Sequence, residues 1–401
     1  MEKINARIIK CDNRKIAIAN IFYYLAIILL TIKTIDLSSQ LIKIDDSLQN
    51  LIFLSAIFLI GVKLILTNVS VKFAIIVLIM GIVCLYGGVV TKSYHIFMTY
   101  LVIIGSYKSD KRVLIKLITY TISFMVFIHM IVYLIAYIFS TVDVNTIAKG
   151  SRSIQTHSFY LGHSNTASMY ILWSILGIIY LKYRKVNKIQ LLFYIILISI
   201  IYFFTRSRTM ILLGGIAILL IYVDKYIIIK QSKLIDLFCK YGYIIGSIGI
   251  ILLCIFYRSI KNIRIIDTLF TGRLMLANFA LEKYGITFFG RMVDYTKNYG
   301  EISNWSITRL TIDIMPLRLL INYGVFYIII YSIILLITTK WMSRCEKIFV
   351  FLMIINGFLE IFTINAIICF PLAICGWYFV NSKNYRYIKG KRIEVNKGGV
   401  I

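Results

Sequence analysis

A guanidinium group is a planar fork that binds phosphate oxygens two at a time and stays charged at any relevant pH, so arginines gathered on one face could hold a diphosphate. Arg206 and Arg208 bracket Ser207 between two apolar runs. Arg258, Arg264, Arg273, Arg291 and Arg309 lie within the 56 residues from Arg258 to Asp313, and Arg318 follows closely. Arg152 opens an earlier polar stretch with two histidines, Arg152-Ser-Ile-Gln-Thr-His157-Ser-Phe-Tyr160-Leu-Gly162-His163-Ser-Asn165. A histidine there could act as a general base or hydrogen-bond a sugar or phosphate. Asp313, just before Pro316 and the next apolar run, could accept a proton from a sugar hydroxyl, or simply pair with Arg309 or Arg318. Arginines reaching for lipid headgroups account equally well for any single one of these positions.

The elements that must position these residues are apolar. With 60% hydrophobic residues, a mean hydropathy of +0.86 and two prolines in 401 residues, the chain cannot clothe a soluble globule in polar surface. Apolar runs of about 17 to 25 residues recur, each long enough to cross the hydrocarbon core as a helix, and the ten-residue alternation of a barrel is absent. Spans are expected at about 17–34, 49–66, 73–90, 94–106, 117–140, 165–181, 189–205, 209–224, 241–257, 315–338, 348–366 and 369–380. That makes about twelve, of which 94–106 and 369–380 are short enough to be tilted or re-entrant.

Alternation from a cytoplasmic N-terminus places well over half of the 44 Lys and Arg residues on inner segments, as the positive-inside bias requires, with both termini cytoplasmic. Nine of the sixteen arginines nevertheless fall outside: Arg152, Arg206, Arg208, Arg258, Arg264, Arg273, Arg291, Arg309 and Arg318. That excess opposes the bias and calls for a reason. The charge of +27 is therefore topogenic, and nucleic acid is not the expected partner. The first run, Ala17 to Ile32, lacks a small-x-small cleavage site and reads as a signal anchor. Seven scattered cysteines, with no CxxC pair, support neither a disulfide framework nor a thiolate metal site. A zinc site on His157 and His163 lacks further ligands at useful spacing, so no metal is expected.

One membrane domain, 1–401, is expected, with an outer cap at 258–313 between the spans at 241–257 and 315–338. Within the cap, Thr271 could N-cap a helix to about Tyr284, with Asn278 on its polar side, stopped by Gly285. Tyr295, Tyr299 and Trp305 could stack on sugar faces. Glu360, inside a span, is a costly carboxyl expected to pair within the bundle.

Four local matches, in order, make the chain resemble the Wzy-type O-antigen and capsular polysaccharide polymerases and their O-antigen ligase relatives. Gly162-His163-Ser164-Asn165 is similar to that family's glycine-histidine-proline-asparagine element, with Ser164 in place of the proline. Ser207-Arg208-Thr209 is similar to its serine-arginine-threonine element. Thr271-Gly272-Arg273, followed by Gly290, resembles the opening of its large outer loop. Asp313, with Leu319, Leu320, Tyr323 and Gly324, resembles the aspartate that ends that loop and the span after it, although Ile314 and Pro316 replace the usual asparagine and tyrosine.

The resemblance implies an all-α, GT-C-like membrane glycosyltransferase in a bacterial plasma membrane, with its large loop extracytoplasmic. It would transfer a polysaccharide chain from undecaprenyl diphosphate to a sugar hydroxyl of a lipid-linked repeat unit, without cofactor, metal or nucleotide sugar. Arg152, Arg206, Arg208 and Arg273 would bind diphosphate, and His163 or Asp313 would orient or deprotonate the acceptor. His157, Asn165, Arg291 and Tyr323 are secondary candidates. The implied partners are the lipid-linked oligosaccharide, membrane lipid, a flippase and a chain-length regulator. A lipid-linked oligosaccharide flippase and an O-antigen ligase are the alternative readings.

Overall fold

The computed structural model describes residues 2–41, 44–139, 145–149, 152–227, 233–260, 263–269, 271–295, 300–302, 305–307 and 310–381; for 2–13, 145–149, 152–154, 264, 266, 269, 300–302 and 305–307 it describes the backbone alone. Arg309, Asp143, Tyr299 and the basic tail from Lys383 lie outside the described residues, as do the side chains of Arg152, Arg264, Glu301 and Trp305.

The chain is predominantly helical. Helices α1 (Glu2–Asp36), α2 (Asp46–Leu66), α3 (Val71–Thr91), α4 (His95–Gly105) and α5 (Lys111–Ile138) come first. The hairpin β1 (Asn145–Lys149) and β2 (Arg152–Thr156) follows, paired antiparallel with Ile147 opposite Ile154. Then come α6 (Ser164–Leu181), α7 (Lys188–Thr205), α8 (Arg208–Tyr226) and α9 (Lys233–Ile255). All of these except α4 and the hairpin are long and apolar enough to cross a membrane, which makes eight such helices. A short-helix region holds α10 (Ile263–Leu269), α11 (Arg273–Tyr284), the hairpin β3 (Gly300–Ile302) and β4 (Trp305–Ile307), and α12 (Met315–Arg318). The shorter apolar α13 (Val325–Trp341), α14 (Arg344–Leu359) and α15 (Phe370–Asn381) complete the described chain.

Polar residues set the helix starts. Asn187 and Gln190 form a capping box on α7, Ser343 and Glu346 form one on α14, and Asp110 caps α5; each satisfies amide groups that a helix start leaves free. The α6 window is 72% buried, against 17% for α3, so α6 runs through the centre while α3 keeps most of its surface on the outside of the bundle. Gly177 on α6 allows that close approach, since a Cβ there would run into the Thr119 side chain of α5.

Helix ends join in two groups. On one face Glu346 pairs with Lys111 at 2.5 Å and accepts from Tyr378 at 3.0 Å and Tyr180 at 3.2 Å. Lys347 pairs there with Asp236 at 2.9 Å, and Arg344 with Asp224. This basic face collects the starts of α5, α9 and α14 and the ends of α6, α8 and α15. On the opposite face Gln40 N–H donates to Tyr160 O at 2.8 Å, His157 N–H to Phe204 O at 3.1 Å and the Tyr323 hydroxyl to Ser93 O at 3.3 Å. Strict alternation of the helices puts the candidate site residues on this second face, beneath α10 to α12.

Two predicted spans differ from the structure. The helix expected over 348–366 ends at Leu359, and the chain continues as a 3-10 turn, Ile361–Ile364, before α15. Nonhelical backbone at that depth needs partners. Thr99 supplies two, its hydroxyl donating to Ile364 O at 2.7 Å and accepting from Ala366 N–H at 3.0 Å. The helix expected over 315–338 is interrupted by a π turn, Leu319–Tyr323, and by Gly324 at φ +94.

The cap has its own apolar core. Leu274, Ala277 and Ala280 of α11 pack with Ile250 and Cys254 of α9 and with Leu310, Ile312 and Ile314. Asn278, expected on the polar side of α11, is instead buried and donates to Cys254 O at 3.0 Å. The carbonyl lies in the last turn of α9, where its backbone partner is the long contact from Tyr257 N–H at 3.4 Å, so a side-chain amide there fastens cap to bundle. Asn278→Leu removes that donor and leaves the carbonyl only the long Tyr257 contact; it should cost about 1 kcal/mol, read as a lower unfolding temperature in detergent, and an unchanged temperature would contradict this role.

Candidate functional site

Arg273 begins α11 in an unusual way. Thr271 and Gly272 both have positive φ, +56 and +79, and the helix is capped from further back by Asp267, not by Thr271 as expected. Asp267 accepts from Leu274 N–H at 2.8 Å and Met275 N–H at 3.2 Å, and its second oxygen also takes the Tyr257 hydroxyl at 3.0 Å. The tight turn leaves Arg273 in the first turn of α11, where the helix dipole disfavours a cation. Compensation comes from elsewhere in the chain.

Arg273 reaches across to the end of α14. One terminal nitrogen donates to Leu359 O, and the other contacts Glu360 Oε1 at 3.0 Å. Nε lies 3.6 Å from Asp313 Oδ2. A guanidinium suits a helix C-terminus, because it satisfies a carbonyl that the helix leaves orphaned and opposes the negative end of the dipole. Glu360 accepts a further hydrogen bond from the Thr209 hydroxyl at 3.1 Å. Four segments distant in sequence therefore meet at one point: the start of α8, the start of α11, Asp313 on the approach to α12, and the end of α14.

The three charged groups differ in access. The Glu360 side chain is 5% exposed, Arg273 15% and Asp313 34%. Glu360 is thus the buried anchor that fixes the guanidinium, and Asp313 is the carboxylate within reach of a ligand. Leu359 O and Glu360 each take one guanidinium N–H, Nε faces Asp313 as an ion pair, and the second N–H of each terminal nitrogen has no partner among the described residues and can serve a phosphate oxygen.

No hydrogen bond or ion pair among the described residues joins the other candidates to this centre. Arg208 is exposed at the first turn of α8, beside Thr209, and no carboxylate pairs with it among the described residues. Arg206, in the left-handed conformation that ends α7, lies 4.5 Å over the outward-facing Phe203 ring. It is turned toward the outside of the bundle, and no contact joins it to Arg273 among the described residues. His163 is exposed and caps α6, its Nδ1 accepting from Asn165 N–H at 3.2 Å. Arg291 donates its backbone N–H to Asn322 O at 2.8 Å, and Tyr323 is buried.

His157 is enclosed by Tyr133, Tyr137 and Phe204, all edge-on, and shares a 2.6 Å hydrogen bond between Nδ1 and the Tyr133 hydroxyl. Burial pushes its pKa below the ordinary histidine range. The folded protein therefore binds this proton less readily than the unfolded chain, and stability contributed by the neutral ring is lost as pH falls through about 6.5. Acidification from neutral pH should destabilise the wild type more than a His157→Gln variant; equal sensitivity would contradict the burial of a neutral ring.

Glu360 and Thr209 are the members of the centre that residue patterns missed as ligand-site residues. The available signal was electrostatic: a carboxyl at the end of an apolar run needs a cation, and arginines were in excess on the face where that run ends. No protein-family model, no curated protein and no solved structure matches the chain.

Proposed function

We propose that the protein is a polysaccharide polymerase of the Wzy type, joining oligosaccharide repeat units carried on undecaprenyl diphosphate. The observation that carries this reading is the junction at Arg273. It unites three elements of the resemblance that are far apart in sequence: Ser207-Arg208-Thr209 through the Thr209 hydroxyl, Thr271-Gly272-Arg273 through the guanidinium, and the loop-ending Asp313. On this reading about twelve segments enter or cross a bacterial plasma membrane, the basic face is cytoplasmic by the positive-inside bias, and the cap is extracytoplasmic.

The chemistry follows from the access of each group. An acceptor hydroxyl approaches the anomeric carbon of the lipid-linked chain and its proton passes to Asp313. The new C–O bond forms as the bond to the diphosphate breaks, and the electron pair leaves with the diphosphate lipid. Arg273, held by Glu360 and Leu359 O, offers its remaining N–H groups to that growing negative charge, and the exposed Arg208 adds a second guanidinium at the start of α8. Fixed donors in a water-poor site stabilise the departing charge without reorganising. His163, an exposed cap, orients the acceptor.

A deletion strain tests the class of activity. Loss of a polymerase leaves single lipid-linked units on the outer leaflet; single units confined to the inner leaflet would indicate a flippase, and long lipid-linked polymer a ligase. Arg208→Lys should abolish polymer while the protein remains in the membrane, because lysine keeps charge but not the fork. Normal polymer length would remove Arg208 from the site.

A further inference from the structure

A second polar centre lies beside the first, on the far side of α12. Arg318, five residues beyond Asp313, stacks 4.0 Å over the Tyr295 ring, and Tyr295 donates to Asn322 Oδ1 at 2.5 Å. Arg318 is half-buried, acts electrostatically on the nearby His95 ring, and has no carboxylate partner among the described residues. His95 Nδ1 in turn lies 3.3 Å from the Asn365 amide. Among the described residues this cation, unlike Arg273, has no neutralising pair.

Directly below opens an apolar groove of about 220 Å³ between α3, α4, α13 and α15. Its upper walls are chain neighbours of the polar centre: Ile96 follows His95, Leu319 follows Arg318, and Ile364 precedes Asn365. From Phe73 to Cys84 along α3 the groove runs about 17 Å at 1.5 Å per residue. Ile76 and Ile333, 57% and 42% exposed, lie at its open side, so it communicates laterally with the bilayer interior. A guanidinium with no carboxylate partner among the described residues, whose chain neighbour Leu319 lines a long, laterally open apolar groove, is complementary to a single-chain lipid with a strongly anionic head.

Resting on the polymerase reading, we infer that this groove binds the isoprenoid tail of a lipid-linked diphosphate, with its head at Arg318 and His95. It is the seat of the second of the two lipid-linked substrates, next to the one whose diphosphate leaves at Arg273. Polymerisation joins two such lipids at once, and Asp313 of the first centre and Arg318 of the second are five residues apart in the chain. Tyr295 and Asn322 hold Arg318 in place, as positioning residues.

The test is photolabelling of the purified full chain, in phosphatidylglycerol-containing nanodiscs, by a polyisoprenyl diphosphate carrying a diazirine in its tail. Adducts are expected on 73–84 and 319–334. Ile76→Trp, at the open side of the groove, should cut labelling about tenfold, while Ile79→Trp, on α3 but away from the groove, should not. Arg318→Gln should weaken labelling by the diphosphate about tenfold yet leave labelling by the neutral polyisoprenol unchanged. Equal labelling by a diazirine phosphatidylglycerol would make the groove an ordinary lipid contact and overturn the inference, as would adducts insensitive to Ile76→Trp. A protein that makes polymer but is not labelled in the groove contradicts this assignment alone. One that is labelled as expected but makes no polymer contradicts the polymerase reading and upholds the binding site.

Discussion

Arg273→Ala should both abolish activity and destabilise the protein by about 3–5 kcal/mol, because it leaves the buried Glu360 carboxylate without its counter-charge. The two effects can be separated. In an Arg273→Met, Glu360→Gln double variant no buried charge remains unpaired, and the introduced amide oxygen can still accept from Thr209, so most of the lost stability should return. Activity should not return, since the guanidinium fixed to meet the departing diphosphate is gone and Arg208 alone lacks that anchoring. Unfolding temperatures in detergent read the first effect and polymer formation the second. A single variant as stable as the wild type would show that the contacts of 3.0 Å to Glu360 and 3.6 Å to Asp313 contribute nothing to holding the cap.

Gly324→Ala should be nearly as damaging, for a reason of shape. Gly324 has φ +94 and ψ 173, a region open essentially to glycine alone, and a Cβ there would run into the Phe288 carbonyl. Gly290 faces it at φ +90, where a Cβ would strike the Asn322 carbonyl. The two glycines let the cap segment lie against the interrupted helix, with Val325 N–H donating to Thr287 O at 3.0 Å and Phe326 N–H to Phe288 O at 3.1 Å. Either Gly→Ala change should cost at least about 3 kcal/mol, combining backbone strain with the clash, and should expose 287–291 to protease. Gly285 provides the contrast: it also has positive φ, but nothing lies within 4 Å of its Cβ position. Its φ of 68 and ψ of −172 carry the same backbone strain without the clash, so Gly285→Ala should cost less than Gly324→Ala, and equal losses at Gly285 and Gly324 would rule out close approach as the cause.

What was legible in the sequence follows the range of the interactions involved. The eight long apolar helices were readable because hydropathy over a window decides them, and the helix ending at Gly285 because its stop signal is adjacent. Thr271 was the wrong cap, since the true one, Asp267, reaches forward over seven residues to Leu274 N–H across a turn whose positive φ values leave no pattern of their own. Asn278 broke the helical periodicity because it serves a carbonyl 24 residues earlier. Glu360 was expected to pair, but its partners were not readable: they lie 87 and 151 residues away, and spacing carries no information at that distance. Arg206 and Arg208 sit two residues apart, yet one turns over Phe203 and the other starts α8, a divergence decided by the left-handed residue between α7 and Ser207.

The central claim is that the guanidinium locked at the end of α14 serves the departing diphosphate. The direct measurement is incubation of the purified protein with a defined undecaprenyl diphosphate oligosaccharide, comparing wild type with Arg273→Lys. The account predicts a ladder of polymer with released diphosphate lipid from the wild type, and unreacted single units from a folded, membrane-embedded Arg273→Lys protein. A full ladder from that variant, or no transfer by the wild type, would contradict it.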